Sequence, residues 1–235
     1  MANYKKTHIM RHLKKLLLII LTGISMNLAG QVHSIGIQFG SNLTNVTSDN
    51  SFEGSKFRSG IIGGFNYEYL FKNNFSLGAD LLYSQQGFKY KLTYTDSNGY
   101  LFGGSADSKL YYDYLALPIK FGYSIGHKLK GFAKVGVCPS ILLKAETTVP
   151  LEDSNGNLIG YQTFDDKDNV SKFDLGGLIE LGADYGILDN LKLFTSVSFR
   201  QSLTTFSNSL YLNESTTRHY GFAFSLGLKY NLNKK

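Results

Sequence analysis

Residues Arg218 to Leu232 read RHYGFAFSLGLKYNL, and they restrict the fold more than any other stretch. Tyr220, Phe222, Phe224, Leu226, Leu228 and Tyr230 share one parity, while Gly221, Ala223, Ser225, Gly227 and Lys229 share the other. A period of two separates side chains into two faces only on an extended strand. The large apolar face suits lipid and the small face suits a tight interior, the arrangement of a transmembrane β-barrel. A strand in lipid needs a hydrogen-bonded neighbour at each edge, so the rest of the chain has to close a ring around this one.

The same alternation predicts strands near 33–42, 58–71, 75–90, 109–125, 132–145, 172–187, 191–202 and 218–231. The gaps are long at 43–57, 91–108, 146–171 and 203–217, and short at 72–74, 126–131 and 188–190. Short turns at one end, long loops at the other and an even count predict an all-β fold: an eight-stranded antiparallel up-and-down transmembrane β-barrel with periplasmic termini. Ile35, Ile37, Phe39, Phe65, Leu81, Leu117, Val135, Ile179 and Val197 are among the residues placed outward. Tyr and Phe gather near the strand ends, as two aromatic girdles at headgroup level would require. After Gln85, Gln86 and Gly87 the apolar parity changes at Phe88, which predicts a β-bulge in the third strand.

The opposite parity collects charge. Glu68, Asp80, Asp174, Glu180 and Asp184 share it with Arg58, Lys120, Lys134, Lys144, Lys192, Arg200 and Lys229. Eight strands leave a lumen just wide enough for side chains, so a paired polar network that excludes an ion pore is expected.

The first thirty residues have the layout of a signal peptide: Lys5, Lys6, Arg11, Lys14 and Lys15, then an apolar run from Leu16, then a small-residue stretch to Gly30. The expected organisation is a signal peptide over 1–30 followed by the barrel over 31–235. The whole chain carries a net charge of +6, and removing five basic residues from the leader leaves 19 bases against 18 acids. No basic stripe remains for nucleic acid. The single cysteine, Cys138, permits no disulfide within the chain and is expected to be an inward packing residue.

The fourth strand, YLALPIKFGY from Tyr114 to Tyr123, resembles a strand of the outer-membrane β-barrel family common in Bacteroidetes, which includes the PorT-type secretion protein and OmpX-like eight-stranded barrels. The opening GIQFGSNLTN and the closing GFAFSLGLKYNL resemble that family's first and last strands. The resemblance spans essentially the whole chain after residue 30. It implies a cell outer membrane location, contact with outer-membrane lipid and lipopolysaccharide, and insertion by the barrel assembly machinery. Such barrels often end on an aromatic that this machinery reads, whereas here Tyr230 is followed by Asn231, Leu232, Asn233, Lys234 and Lys235, so Tyr230 or Leu232 is expected to serve as the signal from a slightly internal position. It also leaves room for a secretion-system or surface protein partner.

Little points to catalysis, and no cofactor or metal is expected. His219 with Glu214 or Ser215 is the one candidate acid–base group, and a solvated loop-end histidine is the plainer expectation. The long loop at 146–171 is acidic: Glu146, Glu152, Asp153, Asp165, Asp166 and Asp168 face Lys167 alone. Asp153, Asn155 and Asn157 imitate the start of a calcium loop, but Leu158 replaces its turn glycine and no glutamate closes the frame. Glu152, Asp153, Asp165, Asp166 and Asp168 are therefore expected to form a solvated cover, or at most a weak cation or partner site. The functional expectation is a non-enzymatic outer-membrane barrel acting through its extracellular loops. The alternatives are an accessory subunit of a secretion system and a soluble ligand-binding barrel of lipocalin type.

Overall fold

Every apolar–polar alternation described above becomes a strand, and the strands join into one antiparallel sheet that closes on itself. The structure, a computed structural model, describes residues 32–48, 54–95, 101–153, 157–206 and 216–232. The expected leader lies outside them. In chain order the strands are β1 (Val32–Ser48), β2 (Lys56–Leu70), β3 (Phe75–Thr95), β4 (Leu101–Ala116), β5 (Ile119–Gly126), β6 (Leu129–Glu152), β7 (Leu158–Asp165), β8 (Phe173–Gly186), β9 (Leu191–Ser202) and β10 (Thr217–Asn231). The path runs β2-β1-β10-β9-β8-β6-β4-β3-β5, and the additional β2–β3 and β6–β5 pairings complete the circle.

Ten strands reduce to eight around the ring. The register of β3 against β4 ends at Leu82↔Ala116 and resumes against β5 at Ala79↔Ile119 without a shift. β4 and β5 are thus one crossing, interrupted at Leu117 and Pro118 because proline has no N–H to give the ladder. The interruption is bridged by Asp80 N–H, which donates to Pro118 O at 2.9 Å, and by Leu117 N–H, which donates to Pro139 O at 2.9 Å. Among the described residues β7 pairs only with β6, and it stands outside the ring. The closing seam is β1 on β10, fifteen residue pairs in unbroken register from Ser34↔Asn231 to Ser48↔Thr217.

Outer-end strands run further than the alternation suggested. Segments 43–48, 91–95, 101–108 and 146–152 are strand, although they were expected to be loop. Their lipid-facing alternation has ended, but their backbones go on pairing with neighbours that leave the bilayer beside them.

Small residues let the wall close tightly. A Cβ at Gly40 would collide with the backbone of Phe224 and Ser225 across the seam. Outward, Phe39, Phe65 and Leu226 are among the most exposed apolar side chains, at 65%, 66% and 56%. Surface of that kind is stable only against lipid. Near the periplasmic turns the aromatics pack together: Phe75 stacks on Phe121 with centroids 5.4 Å apart, Tyr69 meets Phe71 at 4.7 Å, and His33 Nδ1 lies 2.8 Å from the Tyr67 hydroxyl. In the first of those turns Asn74 takes φ +67°, a left-handed conformation that asparagine tolerates.

Two details of parity depart from expectation. Phe88 does not turn outward; Ser84, Gln86 and Phe88 are all buried on the same face of β3. The irregularity lies across the β2–β3 pairing, between Phe57↔Phe88 and Ile62↔Ser84, where five steps on β2 match four on β3, so β2 carries the extra residue. A second bulge lies in β6, where Asp113↔Lys144 and Tyr114↔Leu142 leave one extra residue on β6. It turns Lys144 out of the lumen and Ala145 into it.

Leu226→Arg, on the lipid face of β10, should cost roughly 2–4 kcal/mol in a urea titration of the barrel in lipid vesicles. Ser196→Arg, on the inward face of β9, should lack that lipid-transfer cost. Equal losses at both sites would refute the assignment of faces.

Candidate functional site: a filled lumen and an outer hairpin

The lumen is built from the inward parity of all eight crossings and has two layers. In the periplasmic half lies a lattice of ions. Lys120 Nζ sits 2.6 Å from Asp80 Oδ2 and 2.8 Å from Glu180 Oε2. Lys134 Nζ sits 2.6 Å from Glu68 Oε1, and Lys229 Nζ bridges Glu68 and Asp184 at 3.1 Å each. All seven side chains are buried. Four carboxylates against three ammonium groups leave one negative charge, and half-buried Lys192 stands nearby, opposite Gly186 on β8. The Lys229 ammonium also lies 4.4 Å from the centre of the Phe194 ring and 4.9 Å from that of Phe132. Phe194 and Phe132 each lie over a glycine paired with them on the next strand, Gly227 on β10 and Gly182 on β8, where an added Cβ would collide with the ring.

Nearer the outer end Arg200 pairs with Asp174 and donates to Ser140 Oγ at 3.2 Å. Asp174 further accepts from Ser202 Oγ and Thr204 Oγ1, each at 2.9 Å. Arg58 is buried but donates to the Gln86 carbonyl at 2.6 Å, under the Tyr111 ring, 4.0 Å from its centre. It belongs to the outer rim and not to the ion lattice. Lys144, expected inside, is outside: its side chain is 57% exposed and pairs with Glu146 at 2.8 Å. The one-residue bulge in β6 is the cause, since a single added residue exchanges faces beyond it.

Above the ions an apolar cap closes the lumen. Phe88, Tyr112, Tyr114, Phe206 and His219 pack with Val46, Leu110, Leu142, Ala145 and Val170. His219 is 2% exposed and stacks on Phe206 with centroids 4.3 Å apart and planes at 16°. The solvated loop-end histidine expected from sequence is thus a buried member of an aromatic cluster, because Phe206 folds in over it from the segment after β9. Glu214 and Ser215 lie outside the described residues. The sequence signal for the cap was present in Phe88, Leu110, Tyr112 and Tyr114, apolar residues on the inward parity near the outer ends.

Between lattice and cap remains a cavity of about 70 Å³, lined by Asn42, Ser84, Gln86, Cys138, Ser196 and Ser198 among others. Small-molecule pockets typically measure ~300–1,000 Å³. Cys138 is buried there, 3.6 Å from Ser140 Oγ. A larger hollow of about 640 Å³ opens on the outer wall beside Ile35, Phe65, Leu81 and Leu117, facing the lipid.

The long loop after β6 is largely a hairpin, β6 with β7. Asp153 closes its tip by accepting from Asn157 N–H at 2.9 Å. Asp165 accepts from Lys167 N–H at 2.9 Å, buried Asp166 accepts from Asn169 Nδ2 at 3.4 Å, and Asp168 reaches Lys172 at 3.8 Å with its side chain 97% exposed. Glu152 is half-buried at the end of β6. These acids are spread along the hairpin and the turn after it. Among the described residues no three His, Cys, Asp or Glu side chains gather into a group that would hold a metal ion.

A closed antiparallel ring with an apolar outer wall and a packed polar lumen defines a transmembrane β-barrel of the outer membrane. Residues 30–208 match the outer membrane protein beta-barrel domain family, and the chain belongs to that family. Its location is accordingly the outer membrane, and the apolar exterior leaves no place for the soluble lipocalin-type alternative. No curated protein matches the chain by sequence. Among solved structures it is similar to OprG from Pseudomonas aeruginosa (13% identity, TM-score 0.42, covering 87% of this chain and 97% of that one). It is also similar to Neisserial surface protein A (14%, 0.40, 83% and 96%) and to Ail, the attachment invasion locus protein of Yersinia pestis (11%, 0.38, 84% and 98%).

Glu68→Leu strands Lys134 without its carboxylate and should cost about 3–5 kcal/mol, the penalty of a broken buried ion pair. Lys56→Met removes an ion pair to Asp107 whose lysine is 57% exposed, and should cost less than about 1 kcal/mol. Urea midpoints of the two variants in vesicles should differ accordingly.

Proposed function

We propose that this barrel is a non-enzymatic outer-membrane protein that works through its extracellular end, as a surface for interaction and not as a conduit. The observation that carries this reading is the filled lumen: an ion lattice below, an aromatic cap above, and a cavity of about 70 Å³ between them. With transport through the lumen blocked, the outer hairpin and its neighbouring loops are what remains to meet other molecules. Lipopolysaccharide surrounds that end, and the barrel assembly machinery is the partner during insertion. The resemblance of YLALPIKFGY to the PorT-type strand of Bacteroidetes barrels supports a second reading, in which the partner at the outer end is a secretion-system component.

Planar-bilayer recordings should show no steady conductance. In intact cells, cross-links from the outer end to other surface molecules should disappear when the β6–β7 hairpin is replaced by a short Gly-Ser turn, while the barrel still migrates as a heat-modifiable band. A stable conductance would overturn the reading, as would cross-links that persist without the hairpin.

A further inference from the structure

The backbone of β7 shows which of its polar groups are already used. β7 pairs with β6 at Glu146↔Asp165, Thr148↔Thr163 and Pro150↔Tyr161, and Asp166 N–H donates to Ala145 O at 2.9 Å. In an antiparallel ladder a bond in that position brackets a pair that does not itself exchange hydrogen bonds. Glu146 with Asp165 is such a pair, and so, at steps of two, are Thr148 with Thr163 and Pro150 with Tyr161. Pro150 therefore stands where β6 needs no donor. The N–H and C=O groups of Tyr161, Thr163 and Asp165 point away from β6, and among the described residues no strand pairs with that edge.

The side chains beside this edge are apolar and not in lipid. Leu158, Ile159, Tyr161 and Phe164 are 50%, 66%, 53% and 45% exposed. On β6 the lipid-facing run ends at Leu143, and the outward Lys144–Glu146 ion pair follows. β7 pairs only with positions from Glu146 onward, so it stands in water beyond the bilayer. A strand edge in water with large apolar side chains is a template for another strand. Charge selects the occupant: segment 146–171 holds six acids and one lysine, a net of −5, and with Lys144 and Lys172, which pair with Glu146 and Asp168, it is still −3. A second copy would bring the same charge against it.

We infer that the free edge of β7 binds an extended basic polypeptide segment by strand addition, its backbone pairing at Tyr161, Thr163 and Asp165 and its cations facing the acids of the hairpin. This rests on the reading that the outer end is the working surface. Alternate side chains of the added strand lie over Ile159 and Tyr161, and Asp165 and Asp168 attract its charge.

The test uses the full-length barrel in detergent and a fluorescent synthetic peptide that alternates Lys with Val. Anisotropy should report binding that weakens as salt rises, and the matching Glu–Val peptide should not bind. Thr163→Pro removes one free-edge N–H without touching the β6 ladder and should weaken binding about tenfold or more. Thr163→Val keeps that N–H while losing the 2.9 Å bond between the Thr163 and Thr148 hydroxyls, and should bind like the parent. Equal binding by the Pro variant, or no binding of the basic peptide at low salt, would overturn the inference. Slow hydrogen exchange at Tyr161, Thr163 and Asp165 before any peptide is added would also overturn it, since the edge would then already be held. If the peptide fails while surface cross-links still depend on the hairpin, strand addition is wrong and the working surface stands.

Discussion

The seven buried charges in the periplasmic half of the lumen set the terms for the rest of this molecule. An ammonium or carboxylate group taken out of water is stable only if it is paired and hydrogen-bonded. The chain meets this by placing each lysine against at least one carboxylate from another strand: Lys120 on β5 meets β3 and β8, Lys134 on β6 meets β2, and Lys229 on β10 meets β2 and β8. Apart from the Lys120–Asp80 pair, the lattice ties together strands two or three places apart in the ring, where backbone bonds link only neighbours. Its geometry requires small residues to face Phe132 and Phe194, which is why Gly182 and Gly227 occur among bulkier strand residues. Because the space is filled by structure, none is left for passage, and specificity moves to the outer end.

The membrane-facing half of this architecture was legible in the sequence because lipid imposes a strict period of two. Ile35, Phe65, Leu117, Val135 and Leu226 face outward where their parity put them. Residues at the outer end were read less well, for reasons that share a cause. Lys144 was placed inside and is outside, since one extra residue in β6 reverses every face beyond it and leaves no compositional mark. Phe88 suggests a bulge in β3, but an apolar residue on the inward parity means either a change of face or an apolar interior. The cap makes it the second.

His219 and β7 illustrate a further limit. The burial of His219 depends on Phe206, which lies outside any alternating run and folds back from the segment after β9. β7 reads Leu158 to Asp165, apolar enough for a strand, yet the acids around it and the length of the gap suggested a solvated loop. Pairing with a β6 that continues past the membrane decides the matter, and how far β6 continues depends on its partners and not on its own alternation.

The seam between β1 and β10 has a consequence for damage and repair. Asn45 and Tyr220, hydrogen-bonded across it at 3.3 Å, are 175 residues apart in sequence. Contacts of that separation form late and are lost together. In lipid a broken seam also exposes two bare strand edges at once, so no half-open ring is a resting place. The wall therefore fails as a unit, whereas the hairpin at β7, held by one neighbour and bathed in water, can fray and re-form alone. One molecule thus joins an all-or-none barrier to a locally adjustable edge, and sequence change can accumulate at the second without weakening the first.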